Sequence, residues 1–172
     1  TTGGGLLICA GVLLTRDERL LLTLGDRDRW VDGPNGLEIP LGGVGGGANP
    51  GEDMVSCARR EALEELGIDV EFQHSELTYT EREAGQIEVE AWTDAPAPLI
   101  FQVTRVDPQH SGEGTAPWSG RVEAGLFRGQ VLAEPYPKDV PGLLWVPLPA
   151  LSSLSGRPAM AELEDKGIEI VG

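Results

Sequence analysis

Lysine is almost missing from this chain of 172 residues. There are two, Lys138 and Lys166, and the 13 basic residues face 28 acidic ones, for a formal net charge of −15. That balance argues against a general nucleic-acid binder, which needs Lys and Arg to displace counterions from phosphates, and it disfavours anionic membrane surfaces. An anionic small molecule is compatible with it only where metal ions or a local arginine cluster bridge the repulsion. Histidine and cysteine are equally scarce, two of each. His74 and His110 have no metal-spaced partner, so both are expected at the surface. Cys9 and Cys57 read as two lone thiols in a reducing cytoplasm. Long apolar runs are lacking too. The best, "LLICAGVLLT" at 6–15, is short and broken by Gly11, so it reads as a first strand rather than a membrane span or signal peptide. Walker A, zinc-spaced cysteines and a G-x-S-x-G elbow are also missing.

What is present is a globular composition, 40% hydrophobic and 24% charged. The length suits a single domain, 1–172, with no internal repeat or linker. Strand patterns occupy 6–15, 19–24, 37–41, 68–72, 75–81, 87–92, 99–106, 121–133 and 143–148. The segment 25–36 reads as a turn-rich loop, and "GGVGGGANPG" at 42–51 as irregular backbone. A helix is expected from Glu52 or Asp53, with acids in its first turn, to a glycine cap at Gly67. A short helix begins near Pro149, and a last helix and strand close the chain. The fold class is α/β in the α+β sense.

The helix carries the chemistry. At 100° per residue, Val55, Ala58, Ala62 and Leu66 span about 80° and form a core-facing stripe. Glu61, Glu64 and Glu65 fall within about 100° on an adjoining face, with Arg60 at its edge. Like charges at this spacing repel, so a generic "EALEEL" is an ordinary solvated face. The whole stretch, Gly46 to Ile68, reads G-x5-E-x7-R-E-U-x-E-E-x-G-U with U apolar. It resembles the Nudix box, the signature of the Nudix hydrolases, with every specified position met. The resemblance implies the Nudix fold, mixed β-sheets sandwiched between α-helices, and a hydrolase acting on phosphoanhydrides with Mg²⁺, or Mn²⁺ in its place. Hard cations favour clustered carboxylate oxygens, and binding them would remove the repulsion. By the same resemblance Glu64 and Glu65 match the main metal-ligand pair. Glu61 matches a ligand or general base, and Glu52 a further ligand or a brace between loop and helix. Arg60 would hold a box carboxylate by a salt bridge, and a carbonyl at Gly45–Gly46 would join the metal shell.

Outside the box the match loosens. Relatives read W-x-L-P-G-G before it, whereas this chain has "LEIPLGGVGGG", with Trp30 displaced upstream. "GVGGGA" also fits the dinucleotide fingerprint G-x-G-x-x-A, but "NPGE" separates it from the helix that fingerprint requires. "KDVPGLLWVPLPAL" resembles the family's closing strand and helix. It places Asp139 six residues before Trp145, where some relatives carry an acidic ligand or base; the other reading is an ordinary turn aspartate. Glu134 and then Glu113 are the runners-up. Trp118, Trp92 and Tyr79 are candidates for stacking on a base, Trp118 foremost. Arg27 and Arg29 are candidates for substrate contact.

The expected activity is hydrolysis of a nucleoside diphosphate linked to a moiety X, by water attack at phosphorus. The expected partner is a small nucleotide, not nucleic acid or membrane; a homodimer is compatible with such a fold. A Nudix-fold sensor that holds a nucleotide without turnover is the alternative, although such relatives usually show degraded box acids. Diphosphate isomerisation would need a cysteine near the metals, and neither Cys9 nor Cys57 is placed for that.

Overall fold

Alternation of apolar and small residues makes the opening segment a long strand, β1 (Gly5–Arg16). Asp17 and Glu18 both take left-handed φ values, 50° and 58°, the twist a tight hairpin needs, and lead into β2 (Arg19–Leu24). The structure is a computed structural model and describes residues 5–83, 85–106 and 120–172. The segment expected as a bare loop contains a 3-10 turn at Arg27–Arg29 and a small hairpin, β3 (Val31–Gly33) with β4 (Gly36–Glu38). After β5 (Leu41–Gly42) comes β6 (Val44–Gly47), within the stretch expected to be irregular. Glycine content argued against a strand there. The ladder forms because β6 runs antiparallel to β1 with Gly45 opposite Gly11.

That contact leaves no room for side chains. A Cβ on Gly11 would lie 2.5 Å from the Val44 carbonyl oxygen, and one on Gly45 would lie 2.5 Å from that of Ala10. Helix α1 (Met54–Leu66) packs over β1 and β6. Asp53 is its N-cap, its Oδ1 accepting from the Ser56 N–H at 2.7 Å, and Gly67 closes it in the left-handed conformation. The first turn holds no acid; the expected acids there, Glu52 and Asp53, precede the helix. The buried stripe is Cys57, Ala58, Ala62 and Leu66, with Val55 only partly covered. Cys57 was expected off the stripe. It is fully buried against the part of β6 that lacks side chains, Gly45–Gly47, and its thiol donates to the Gly46 carbonyl at 3.4 Å.

The rest of the chain builds outward. β7 (Val70–Gln73), β8 (Thr78–Glu83), β9 (Gln86–Glu90), β10 (Ile100–Val106) and β11 (Gly120–Val131) follow, then β12 (Leu143–Pro147), a 3-10 turn at Leu148–Ser153, α2 (Met160–Asp165) and β13 (Glu169–Val171). The large mixed sheet has the order β13-β12-β2-β1-β11-β10-β8-β9, with β5 on β2, β6 on β1 and β7 on β11. β1 lies parallel to β11, Gly5 opposite Gly120 through Leu14 opposite Gly129. One core joins β1 and β2 to α1 through Val12, Leu14, Leu21, Ala62, Leu66 and Trp145; another gathers Ile39, Leu144, Val146 and Leu163 of α2. No helix among the described residues is long and apolar enough to cross a membrane.

The β1–β6 contact predicts a sharp stability loss on adding one methyl. Gly11→Ala should cost about 1–3 kcal/mol, as overpacking a filled core does, and lower the midpoint of thermal unfolding. An unchanged midpoint would show that β6 does not lie this close to β1.

Candidate active site

The box acids are brought together by the capped start of α1 and by the glycines of β6. Glu61 and Glu65 lie on the helix side turned toward β6. Gly46 has no side chain to obstruct them; a Cβ there would stand 2.5 Å from Glu61 Oε1. The Gly45 N–H donates to Glu65 Oε2 at 3.2 Å.

Arg60 occupies the centre of the cluster. Its Nε donates to Glu52 Oε2 at 3.0 Å and its Nη2 to Glu52 Oε1 at 3.0 Å. Nη1 donates to Glu61 Oε1 at 3.0 Å and to Glu64 Oε2 at 3.1 Å, and Nη2 reaches the Gly47 carbonyl at 2.8 Å. One guanidinium thus faces three carboxylates and ties the helix to β6. The planar fork suits this task, since it offers five donors in a rigid geometry. Glu52 also accepts from the Asn49 N–H at 3.1 Å. Arg60 and that N–H hold the Glu52 carboxyl below its ordinary pKa, and the same pairing, Glu52 foremost, raises that of Arg60.

Glu65 is the exception. It makes no bond to Arg60 among those described, and it is partly buried. Burial, against the opposing pull of the Gly45 N–H and with the charges of Glu61 and Glu64 adding to it, pushes its carboxyl up to about 7. This is the acid whose charge the protein alone supports least.

The other candidate residues are placed less centrally. Gly46 lies in the β6 ladder rather than in a turn, and its carbonyl receives the Cys57 thiol. Asp139 is exposed on a loop fastened to the end of α1, where the Lys138 N–H donates to the Glu65 carbonyl at 3.0 Å and the Tyr136 N–H to that of Leu66 at 3.1 Å. Glu134 pairs with Arg16 at 2.6 Å. Arg27 stacks over Trp30 at 5.0 Å, and Arg29 is exposed on the same turn; no described contact joins either to the carboxylates. Trp118, His110 and Glu113 lie outside the described residues. Trp92 packs edge-on against Phe101, and exposed His74 accepts the Ala97 N–H at Nδ1. Sequence reasoning missed the Gly45 N–H, the Cys57–Gly46 bond and the close partner Gly11; a glycine inside an apolar strand was the available signal.

Among the described residues no three acidic, histidine or cysteine side chains stand ready to hold one ion. Glu52, Glu61 and Glu64 are turned toward Arg60 instead. The donor set nevertheless suits a hard divalent cation: clustered carboxylate oxygens, one of them half-buried and short of positive charge.

A family model described as the NUDIX domain matches residues 5–163. No curated protein matches the chain. Among solved structures, the MutT protein of Methanosarcina mazei Go1 is similar with a TM-score of 0.53, at 16% identity, over 96% of this chain and 92% of the other. A NUDIX-family hydrolase of Clostridium perfringens gives a TM-score of 0.51 at 14% identity, over 87% of this chain and 86% of the other. A MutT protein of Bacillus halodurans gives 0.50 at 16% identity, over 94% and 78% respectively. At these identities the likeness shows a shared fold.

The raised carboxyl of Glu65 sets a pH dependence. A folded value near 7 against an ordinary 4.5 means that stability is fully present below the unfolded value and is lost as pH rises through the folded one. In metal chelator, the unfolding midpoint should therefore fall between about pH 5 and pH 8, and Glu65→Gln should flatten that fall. Parallel slopes for the two proteins would contradict the assignment.

Proposed function

Because this chain belongs to the Nudix hydrolase family, we propose that it is a divalent-metal-dependent pyrophosphohydrolase, a single domain over 1–172, cleaving a nucleoside diphosphate linked to a moiety X. The observation that carries this is the carboxylate cluster around Arg60 together with half-buried Glu65.

Glu64 and Glu65 would hold the metal, with Glu52 and Glu61 as further ligands once released from Arg60. Mg²⁺, or Mn²⁺, would neutralise diphosphate oxygens beside the acids. The chain's own residues do the rest. Arg60 keeps the acids from splaying while they carry like charge. The glycines of β6 let the diphosphate approach the backbone. Glu61 is the candidate to accept the proton of the attacking water as its oxygen bonds to phosphorus and the bridging P–O bond breaks. Asp139 is the second candidate, since its loop is anchored to the Glu65 carbonyl. Arg29 would meet an outlying phosphate, while Arg27 is engaged on Trp30. Positioning and electrostatics account for most of the acceleration in such substitutions.

The test is a hydrolysis screen with Mg²⁺ or Mn²⁺ over nucleoside triphosphates, nucleotide sugars, ADP-ribose, dinucleoside polyphosphates and coenzyme A. Turnover should vanish in chelator, and Glu64→Gln should lower kcat by at least about a hundredfold, the scale of removing one preorganised electrostatic group. Mg²⁺ at about a hundred times its Kd should add about 2.7 kcal/mol of stability, read as a higher unfolding midpoint. Intact protein that hydrolyses none of these with either ion would end the proposal.

A further inference from the structure

Between β11 and β12 the chain runs Pro135, Tyr136, Pro137, Lys138. Proline carries no N–H and holds its own φ near −65°. It also keeps the residue before it out of the helical region. Glu134, Tyr136 and Val140, each followed by proline, therefore favour extended backbone. The four residues retain two N–H groups between them, on Tyr136 and Lys138. So stiff a segment loses little entropy when it is fixed in place.

Both N–H groups bond to helix α1. A helix ends in carbonyls that its own turns cannot use. The Gly67 N–H reaches that of Leu63 at 3.1 Å, and the strap supplies two more donors. Lys138 N–H bonds the Glu65 carbonyl at 3.0 Å, and Tyr136 N–H that of Leu66 at 3.1 Å.

Side chains repeat the attachment. The Tyr136 ring lies over Gly67, so closely that a Cβ there would run into it. Pro135 is buried, and Val140 packs against the core shared by β1, β2 and α1. At the near end Glu134 pairs with Arg16, whose guanidinium stands 4.2 Å from the centre of the Trp145 ring. Tyr136 itself is 51% exposed. A ring left half in water is not there to fill the core.

Glu65 is held twice as a result. Its carbonyl accepts from Lys138, and its carboxylate from the Gly45 N–H at 3.2 Å. Asp139 follows Lys138 by one residue, is exposed, and has no partner among the described contacts. The strap thus sets an unpaired carboxyl one residue from a bond to the backbone of a box acid.

We propose that Tyr136 is a positioning residue. Its ring, seated on Gly67, locks the strap onto the end of α1 and so holds Asp139 beside the box carboxylates. Gly67 then serves twice, as the left-handed cap and as the floor under the ring. The inference rests on the pyrophosphohydrolase reading and adds to it a residue that touches neither metal nor substrate.

The test uses the full chain with Tyr136→Ala and Tyr136→Phe. In amide exchange without metal, Tyr136→Ala should speed the N–H groups at 136 and Lys138 about tenfold or more, with those of Glu61 to Leu63 inside α1 unchanged. Tyr136→Phe should exchange as the wild type does, because the ring and not the hydroxyl makes the seat. Bound Mn²⁺ broadens the NMR signals of nearby amides. It should broaden Asp139 together with Glu64 and Glu65 in the wild type and in Tyr136→Phe, and spare Asp139 alone in Tyr136→Ala. In hydrolysis of ATP or ADP-ribose with Mg²⁺, Tyr136→Ala should lower kcat about tenfold or more, as a misplaced group does, with KM changed less than about threefold. Adding it to Asp139→Asn should cost nothing further.

Unchanged exchange at 136 and Lys138, or faster exchange throughout α1, would overturn the proposal. So would a sharp Asp139 beside broadened Glu64 in the wild type, or kcat losses that add to those of Asp139→Asn. If Mn²⁺ broadens no box residue and neither compound is hydrolysed, the hydrolase reading falls, while the exchange rates still decide the seating of the strap.

Discussion

Everything at the site depends on how closely β6 approaches its two neighbours. Gly11 and Gly45 let the strand lie on β1, and Gly46 lets the carboxylate of Glu61 rest against its backbone. Had these positions side chains, α1 would stand further off. Cys57 would then lose its carbonyl partner, and Glu65 would lose the N–H that offsets part of the cost of its burial. Glycine weakens a strand in isolation, so this arrangement draws its stability from tertiary packing rather than from local preference.

The second constraint is electrostatic. Four carboxylates crowd together on and just before α1 in a chain that is already strongly acidic, and in the protein alone a single guanidinium holds three of them. Arg60 is therefore both a brace and a stand-in for external charge. Glu65, beyond its reach, shows what the cluster costs where no positive charge is supplied: its carboxyl favours the proton.

Much of this was legible in the sequence. The spacing of Glu52, Arg60, Glu61, Glu64 and Glu65 marked the helix and the family, and Gly67 ended the helix where a glycine cap was expected. Most strands appeared where β-branched and aromatic residues alternated. What failed was reading that relied on local rules alone. The glycines at 43–47 signalled irregular backbone, yet Gly11, more than thirty positions earlier, makes that stretch a strand. Cys57 was misplaced for the same reason, since the width of a buried stripe depends on what the helix meets. Asp139 was legible as a position, but its anchoring to the end of α1 follows from backbone bonds made by Tyr136 and Lys138, which no side-chain pattern encodes.

The parallel pairing of β1 with β11 has a bearing on how the protein is made. The two strands are separated by more than a hundred residues, and β1 is the more apolar of the pair. At about 5–20 residues per second, β1 emerges several seconds before the strand that will flank it for ten registers. Until then only β2 and β6 are available as strand neighbours, and each pairs with no more than a few residues of it. The central strand of the finished sheet thus waits with its longest edge unpaired during synthesis, while α1 is already there to cover one face of it.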